Sequence, residues 1–496
     1  MAQPLAIFDP WHTAWACADA LAVTRAAAGV WRQRQSARLA ELLASASRGS
    51  RLYRQRLAAA GAGATALETL QRMKPVAKAE LMAHFADWVT DPCLRLPELR
   101  AFVRDPARRG EPFAGRWIVW ESSGSSGEPA LFVQDARSLA VADALEAARG
   151  PVALSGRFGL ERIAYVGALD GHFAGVVAFE RARSLNPWLA GNARSFSFMQ
   201  PLAALVDQLN DFAPTVLASY PSMAWVLSQA QRSGRLKIAP QALWTGGETL
   251  TVATRHALAE AFHAPVRDSY GASECFLIAS ECSSERLHLH ADWTVLEAVD
   301  ERGRALPDGE FGATTLLTNL SNHVQPIIRY RLGDRVRFVP GGCDCGSALP
   351  VIEVQGRADD VLTLEDAQGH AVHLAPLALT TVLEDGAGVF DFQLRRRGPH
   401  RLQLDLYDSA PGAPSTQHAR RARDALRGFL RQQGLADTRV QCRCAGCAAL
   451  RGRSGKQQRV VCKDTPARDA VAYAASLRRS RDAALPPGDG SRGARA

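Results

Sequence analysis

From about residue 116 to residue 300 the chain alternates short apolar runs with helical patterns. The runs "RWIVW", "RIAYVGAL", "TVLASY" and "QALWTGG" read as strands. Between them, "SLAVADALEAAR", "SMAWVLSQAQRSG" and "VATRHALAEAF" carry apolar positions three and four apart. That alternation predicts an α/β domain. Ahead of it, residues 14 to about 60 are rich in Ala, Leu and Arg at helical spacing, which predicts an amphipathic helical opening. Behind it, residues 287–340 turn strand-rich, with Gly and Asp turns at "DERGRALPDGEFG", and a shorter αβ stretch runs to about 464. The end, "TPARDAVAYAASLRRSRDAALPPGDGSRGARA", is expected to be disordered or loosely helical.

The 496 residues leave room for two or three domains, and 47% hydrophobic with 22% charged residues is the balance of a soluble globular protein. No apolar run approaches a membrane span. The start, "MAQPLAIFDPWHTAWACADALAVTR", lacks a basic stretch followed by an apolar one and a cleavage site, which predicts a cytoplasmic protein. The net charge of +9 raises the question of nucleic acid, but the Arg residues are dispersed and no nucleic-acid-binding motif is present. A basic surface equally attracts nucleotide-like polyanions. The ten cysteines show no disulfide-like framework.

Several short motifs carry potential chemistry. "SSGSSGEP" (122–129) follows a strand-like run, and its glycines and hydroxyls can form an anion nest, although by itself it equals a plain Gly/Ser loop. It is no Walker loop, because no Gly-Lys-Ser/Thr closes it. "TGGE" (245–248) and "YGASE" (270–274) end apolar runs, and in a parallel sheet ligands bind at strand C-termini. By itself "TGGE" reads as a strand-to-helix turn with a capping Glu or Thr. "RYRLGD" (329–334) puts Asp334 after a Gly at a strand turn, where it can accept both hydroxyls of a ribose. "GRADD" (356–360) falls where composition changes. Lysine is scarce, limited to Lys74, Lys78, Lys237, Lys456 and Lys463, and Lys456 sits in the Gly-flanked "SGKQQRV". A compact ammonium on such a loop suits a phosphate or a developing charge.

In this order the motifs resemble those of the adenylate-forming superfamily, and more narrowly the branch of phenylacetate-CoA ligase and coenzyme-F synthetase-like proteins. The resemblance runs from about Trp120 to Val460. It implies a large N-terminal adenylate-forming domain of mixed sheets and helices over residues 1–357. A small C-terminal α+β lid domain would follow over 358–465, with a basic tail over 466–496.

The resemblance also implies residue roles. Ser122, Ser123, Gly124, Ser125, Ser126 and Gly127 would cradle the ATP triphosphate. Gly246, Gly247, Glu248, Tyr270 and Gly271 would line the adenine pocket, and Glu274 would hold Mg²⁺. Asp334 would bind ribose, Arg357 would reach ribose or phosphate, and Asp359 would be the hinge. Lys456 would bridge the carboxylate and the α-phosphate. His172, Phe173, Tyr220 and Met223 would form the acyl pocket, of a kind suited to an aryl or other apolar acid. Where the family has Lys after its loop glycine, this chain has Glu128.

Some relatives in this branch pair a Cys-x-Cys-Gly with an upstream Glu-Cys and Leu-His. This chain has Cys343 and Cys345, Glu281-Cys282 and Leu287-His288, which implies a closed structural Zn²⁺ site of Cys282, His288, Cys343 and Cys345. His290 is the rival histidine. Cys442, Cys444 and Cys447 have metal-like spacing with no fourth ligand nearby except Cys462, and read better as ordinary cysteines.

The implied activity is ATP-dependent activation of a carboxylic acid through an acyl-adenylate, with transfer to CoA. Transfer to a carrier-protein thiol or an amine is the nearest alternative. A non-catalytic nucleotide-binding or assembly protein with a degenerate site is the alternative of another class.

Overall fold

The computed structural model describes residues 7–122, 129–150, 161–355, 362–374, 376–389, 392–407, 416–444 and 459–461. Its centre is a nine-stranded sheet. Five strands run parallel at one side, in the order Ala193–Ser197, Ile163–Gly167, Val216–Ser219, Ala242–Gly246 and Val266–Ala272. Four antiparallel strands continue it, Cys275–Glu281, Leu287–Leu289, Val351–Gln355 and Arg335–Val339. The parallel half follows from the strand–helix alternation, because parallel neighbours need a crossover connection. Helices Leu202–Phe212, Pro221–Arg232 and Val252–Phe262 supply those crossovers. Pro221 opens its helix at the first turn, where the missing N–H costs nothing.

The Ser/Gly loop connects two strands of a hairpin, Ile118–Glu121 and Leu131–Gln134, where strand followed by helix was expected. The second strand is only "LFVQ", too short to show a period. The helix Ala136–Arg149 begins after it, on a reciprocal cap between Asp135 and Ser138.

The amphipathic opening forms helices Pro10–Arg25, Ala28–Gly49 and Arg51–Ala60. They share one core with the hairpin and with the three-stranded sheet Thr294–Val299, Thr314–Asn319 and Ile327–Arg331, through Leu39, Leu42, Tyr53, Trp120, Leu317 and Ile328. The segment after them is tied to the last of these strands. Val76 and the Arg329–Arg331 backbone exchange hydrogen bonds of 3.0 and 2.9 Å, and the indole of Trp88 donates to the Pro326 carbonyl at 2.6 Å.

After the strand Val351–Gln355, the hairpin Leu362–Glu365/Ala371–Leu374 accompanies a four-stranded sheet and the helices Pro376–Ala387 and Thr416–Gln432. These elements pack on the parallel half: the His373 ring meets Trp225 edge-on at 4.9 Å, and Leu379 and Leu404 share a core with Leu217 and Leu243. No helix among the described residues is long and apolar enough to cross a membrane.

Candidate active site

A cavity of about 1560 Å³ opens at the C-terminal ends of the parallel strands. Gly246, Gly247, Gly271, Glu274 and Asp334, which lie far apart in sequence, all line it. Gly247 has φ 79°, and a Cβ there would stand 3.0 Å from the ring of Tyr220. The glycine pair thus lets that aromatic ring lie on the backbone. At Gly271 a Cβ would stand 2.0 Å from the Phe276 carbonyl oxygen, across the turn into the next strand.

The Tyr270 hydroxyl donates to Asp334 Oδ2 at 3.0 Å, although Tyr270 does not itself line the cavity. Burial and the Asp334 charge hold the Tyr270 phenol well above its ordinary value, so it stays a donor. Thr315 Oγ1 donates to the Asp334 carbonyl at 2.8 Å and fixes the turn. Glu274 is buried, and desolvation pushes its carboxyl up. The Tyr330 hydroxyl donates to it, and the Lys78 charge also favours its ionised form. Ser122, the one described residue of the expected phosphate loop, lines the cavity and accepts the Ala130 N–H at 3.0 Å.

Not every expected residue faces this space. Glu248 accepts the Ser222 N–H at 3.0 Å, at the first turn of helix Pro221–Arg232, and is not a lining residue. Here the capping reading describes the side chain. Phe173 and Tyr220 line the cavity, and Tyr220 shares a hydrogen bond with Tyr165. His172 does not line it: its imidazole is buried beside Phe102, ring centres 5.5 Å apart. Its backbone N–H donates to the carboxylate of Glu121, which lines the cavity, at 2.9 Å. Met223 is buried on the core side of its helix, away from the cavity. Ser123, Gly124, Ser125, Ser126, Gly127, Glu128, Arg357, Asp359, Lys456, Cys447 and Cys462 lie outside the described residues.

Lining residues missed by the sequence reading include Lys78, Trp120, Tyr165, Tyr330 and Arg331. For Lys78 a signal existed, because lysine is rare in this chain. Tyr330 and Arg331 fall inside the motif that ends at Asp334, but alternation alone could not show which of them faces the site.

At the far side of the sheet Cys282, His288, Cys343 and Cys345 converge, with their ligand atoms all within 4.8 Å of one another. Cys282 and Cys343 sulfurs are 3.7 Å apart, and Cys345 Sγ is 3.3 Å from His288 Nε2. His288 Nδ1–H donates to the Leu349 carbonyl at 2.9 Å, which turns the Nε2 lone pair toward the thiols. Burial pushes the Cys345 thiol up to about 11. Three thiols and one imidazole at this spacing fit a closed tetrahedral site for a soft divalent ion. His290 stands apart, fully buried between Ser280 Oγ at 3.1 Å and Arg149 Nη1 at 3.3 Å. Cys442 lies on the edge strand Arg439–Cys444 of the C-terminal sheet.

No family model matches the chain. Among curated proteins it is similar to the phenylacetate-coenzyme A ligase of Thermus thermophilus, 29% identical over 186 residues, which is 35% of this chain and 40% of that one. The Pseudomonas putida phenylacetate-coenzyme A ligase is 30% identical over 172 residues, 32% of this chain and 37% of that one. Each match therefore spans less than half of the relative's length. Among solved structures, 2-hydroxyisobutyryl-CoA ligase in complex with 2-HIB-AMP and CoA in the thioesterification state superposes with a TM-score of 0.58 at 19% identity. That superposition covers 92% of this chain and 94% of the other. The same ligase in the postadenylation state with R3-HIB-AMP gives 0.54 at 20% identity, over 92% and 94%. These structures show the fold, a large N-terminal part with a small C-terminal one. In fold the chain is similar to 2-hydroxyisobutyryl-CoA ligase, and over about a third of its length it is similar in sequence to phenylacetate-coenzyme A ligases.

Proposed function

We propose that the protein activates a carboxylic acid with ATP and passes the acyl group to CoA. The observation that carries this is the convergence of Gly246, Gly247, Gly271, Glu274 and Asp334 on one cavity, beside an aromatic wall of Tyr165, Phe173 and Tyr220. In the first step a carboxylate oxygen of the acid attacks the α-phosphorus. The bond to the β-phosphate bridge oxygen breaks and pyrophosphate leaves with that electron pair. In the second, the CoA thiol sulfur attacks the acyl carbon, its proton is lost to solvent, and AMP departs with the C–O bonding pair. Little covalent help is asked of the protein; position and charge do the work.

In this reading Asp334, steadied by Tyr270 and Thr315, takes the ribose hydroxyls. Tyr220, packed over Gly247, and Phe173 offer the acid an aromatic face. Ser122 and the loop after it hold the triphosphate, and Arg357 reaches the ribose or phosphate. Glu274 is the residue that would hold Mg²⁺, whose chemistry there is charge neutralisation; a carboxylate on the cavity wall with its second interactions met by Tyr330 fits that use. Lys456 supplies the ammonium between carboxylate and α-phosphate. Residues 1–357 form the adenylate-forming domain and 358–465 the lid, with rotation about Asp359 exchanging one half-reaction for the next. The four-ligand cluster would hold a structural Zn²⁺, which clamps the edge strands together when bound.

Pyrophosphate exchange across a panel of aryl and aliphatic acids tests the reading. Acid-dependent exchange is expected, and Lys456→Ala should abolish it while leaving nucleotide binding and the fold intact. Folded protein that exchanges with no acid would instead favour a non-catalytic nucleotide-binding role. Acyl-adenylate formation without CoA consumption would move the acceptor to a carrier-protein thiol or an amine.

A further inference from the structure

The cavity continues past Phe173 between two helices, Ala136–Arg149 and Ala174–Leu185. Facing residues there are small: Ala142 and Ala147 on the first helix, Gly175, Ala178 and Ala182 on the second. Their size leaves the space open. Tyr165 and Phe179 stack at 5.2 Å along one side, and Tyr165 spends its hydroxyl on Tyr220, so this stretch of wall is aromatic and apolar.

Charged side chains break that wall, and one of them stands out. Glu146, near the end of the first helix, lines the cavity and is half-buried. Its neighbours are already matched. Asp143, one turn before it, receives both Nη groups of Arg181 at 2.8 and 3.0 Å. Glu180 takes Arg183 at 2.5 Å and the Ser195 hydroxyl at 2.6 Å. Among the described residues no hydrogen bond or ion pair reaches the Glu146 carboxyl. Burial, and then the nearby charge of Asp143, push it up to about 7. An unmatched carboxyl on an apolar wall is costly to the empty protein, and a ligand donor would remove that cost.

The cations of this stretch also set a direction. Arg181 is taken by Asp143 and Arg183 by Glu180, so the acid enters with its carboxylate toward the Asp334 and Glu274 side of the cavity, where nucleotide and cation would meet it. We propose that Glu146 is a specificity-determining residue, selecting acids that carry a hydrogen-bond donor, a hydroxyl or a protonated amine, at the end remote from the carboxylate. This inference rests on the acid-activating reading above and narrows its substrate class.

The test uses matched arylalkanoic acids with a para methyl, hydroxyl or aminomethyl group, read two ways on the full chain. Calorimetry without ATP measures binding; pyrophosphate exchange measures kcat/KM. The wild-type protein should favour the hydroxyl and aminomethyl acids over the methyl acid by about tenfold or more in both. Glu146→Leu should reverse the order toward the methyl acid. Glu146→Gln, which keeps an acceptor oxygen, should retain the hydroxyl preference and lose the aminomethyl one. Equal binding of all three acids, a donor preference that survives Glu146→Leu, or no binding of any of them overturns the proposal. Exchange without donor preference removes the subsite and leaves acid activation standing. Donor-selective binding without any exchange does the reverse.

Discussion

Arg329 offers the sharpest test of how the site is held. It sits inside the strand Ile327–Arg331, next to Tyr330 and a few residues before Asp334, with φ 52°. A non-glycine residue in that region costs about 1–2 kcal/mol, which the surroundings must offset. They do so through the guanidinium. Nε and Nη2 reach the Glu297 carboxylate at 3.0 and 2.8 Å, and Nη1 donates to the carbonyls of Gln71 and Met73 at 2.7 and 2.6 Å. Both side chains are buried. Arg329→Met keeps most of the length but leaves Glu297 buried without a counter-charge, which costs about 3–5 kcal/mol. Adding Glu297→Met removes the stranded charge and should recover about 1–3 kcal/mol of that loss, because the two residues are directly coupled. Urea unfolding of the wild type, both single variants and the double variant gives the cycle from midpoints, provided the slopes agree. A single variant within 1 kcal/mol of wild type, or a double variant no better than the sum of the singles, would refute the argument.

Gly271→Ala should cost about 3 kcal/mol, since its methyl group meets the Phe276 carbonyl oxygen at 2.0 Å; an unchanged unfolding midpoint would show that the hairpin adjusts freely. Burial first, and then the Glu281 charge, push the Asp268 carboxyl up to about 7, against the hydrogen bond from Thr245. A carboxyl raised in the folded state contributes stability that is complete below pH 3.8 and is lost as pH rises through about 7. Asp268→Asn should therefore gain on the wild type steadily between those limits, and parallel stability–pH curves would count against it. Metal analysis of purified protein should find about one zinc per chain, lost in Cys282→Ser and Cys343→Ser together with thermal stability. Stable protein free of zinc would discard that site.

The parallel half of the sheet was legible because its strands are separated by helices with clear apolar spacing. The glycine motifs were legible for a related reason: only glycine fits where Tyr220 lies on Gly247 or where Gly271 backs onto Phe276. Side-chain direction was not. Glu248 and Tyr270 follow or flank such glycines, yet one caps a helix and the other braces Asp334. Nothing local separates a carboxylate that caps from one that faces a ligand. The docking of Val76 and the Met73 carbonyl on the Arg329 strand was hidden too, because it joins segments far apart in sequence through one short bridge.

The two histidines show what periodicity can and cannot decide. His288 and His290 are two residues apart, so strand alternation assigns both to one face and offers either as the fourth ligand. The difference lies in the partners. His288 pairs opposite Val351, at the edge where the Cys343–Cys345 turn returns to the sheet, and its Nδ1 is taken by Leu349 from that same connection. His290 is past the end of its strand, enclosed with Arg149 and Asp292 under the helix Ala136–Arg149. The neighbouring guanidinium, after burial itself, drives its imidazole toward the neutral form, and both ring nitrogens are already engaged. Which histidine meets the thiols is therefore set by the return path of a loop more than fifty residues downstream, a tertiary fact that a two-residue period cannot contain.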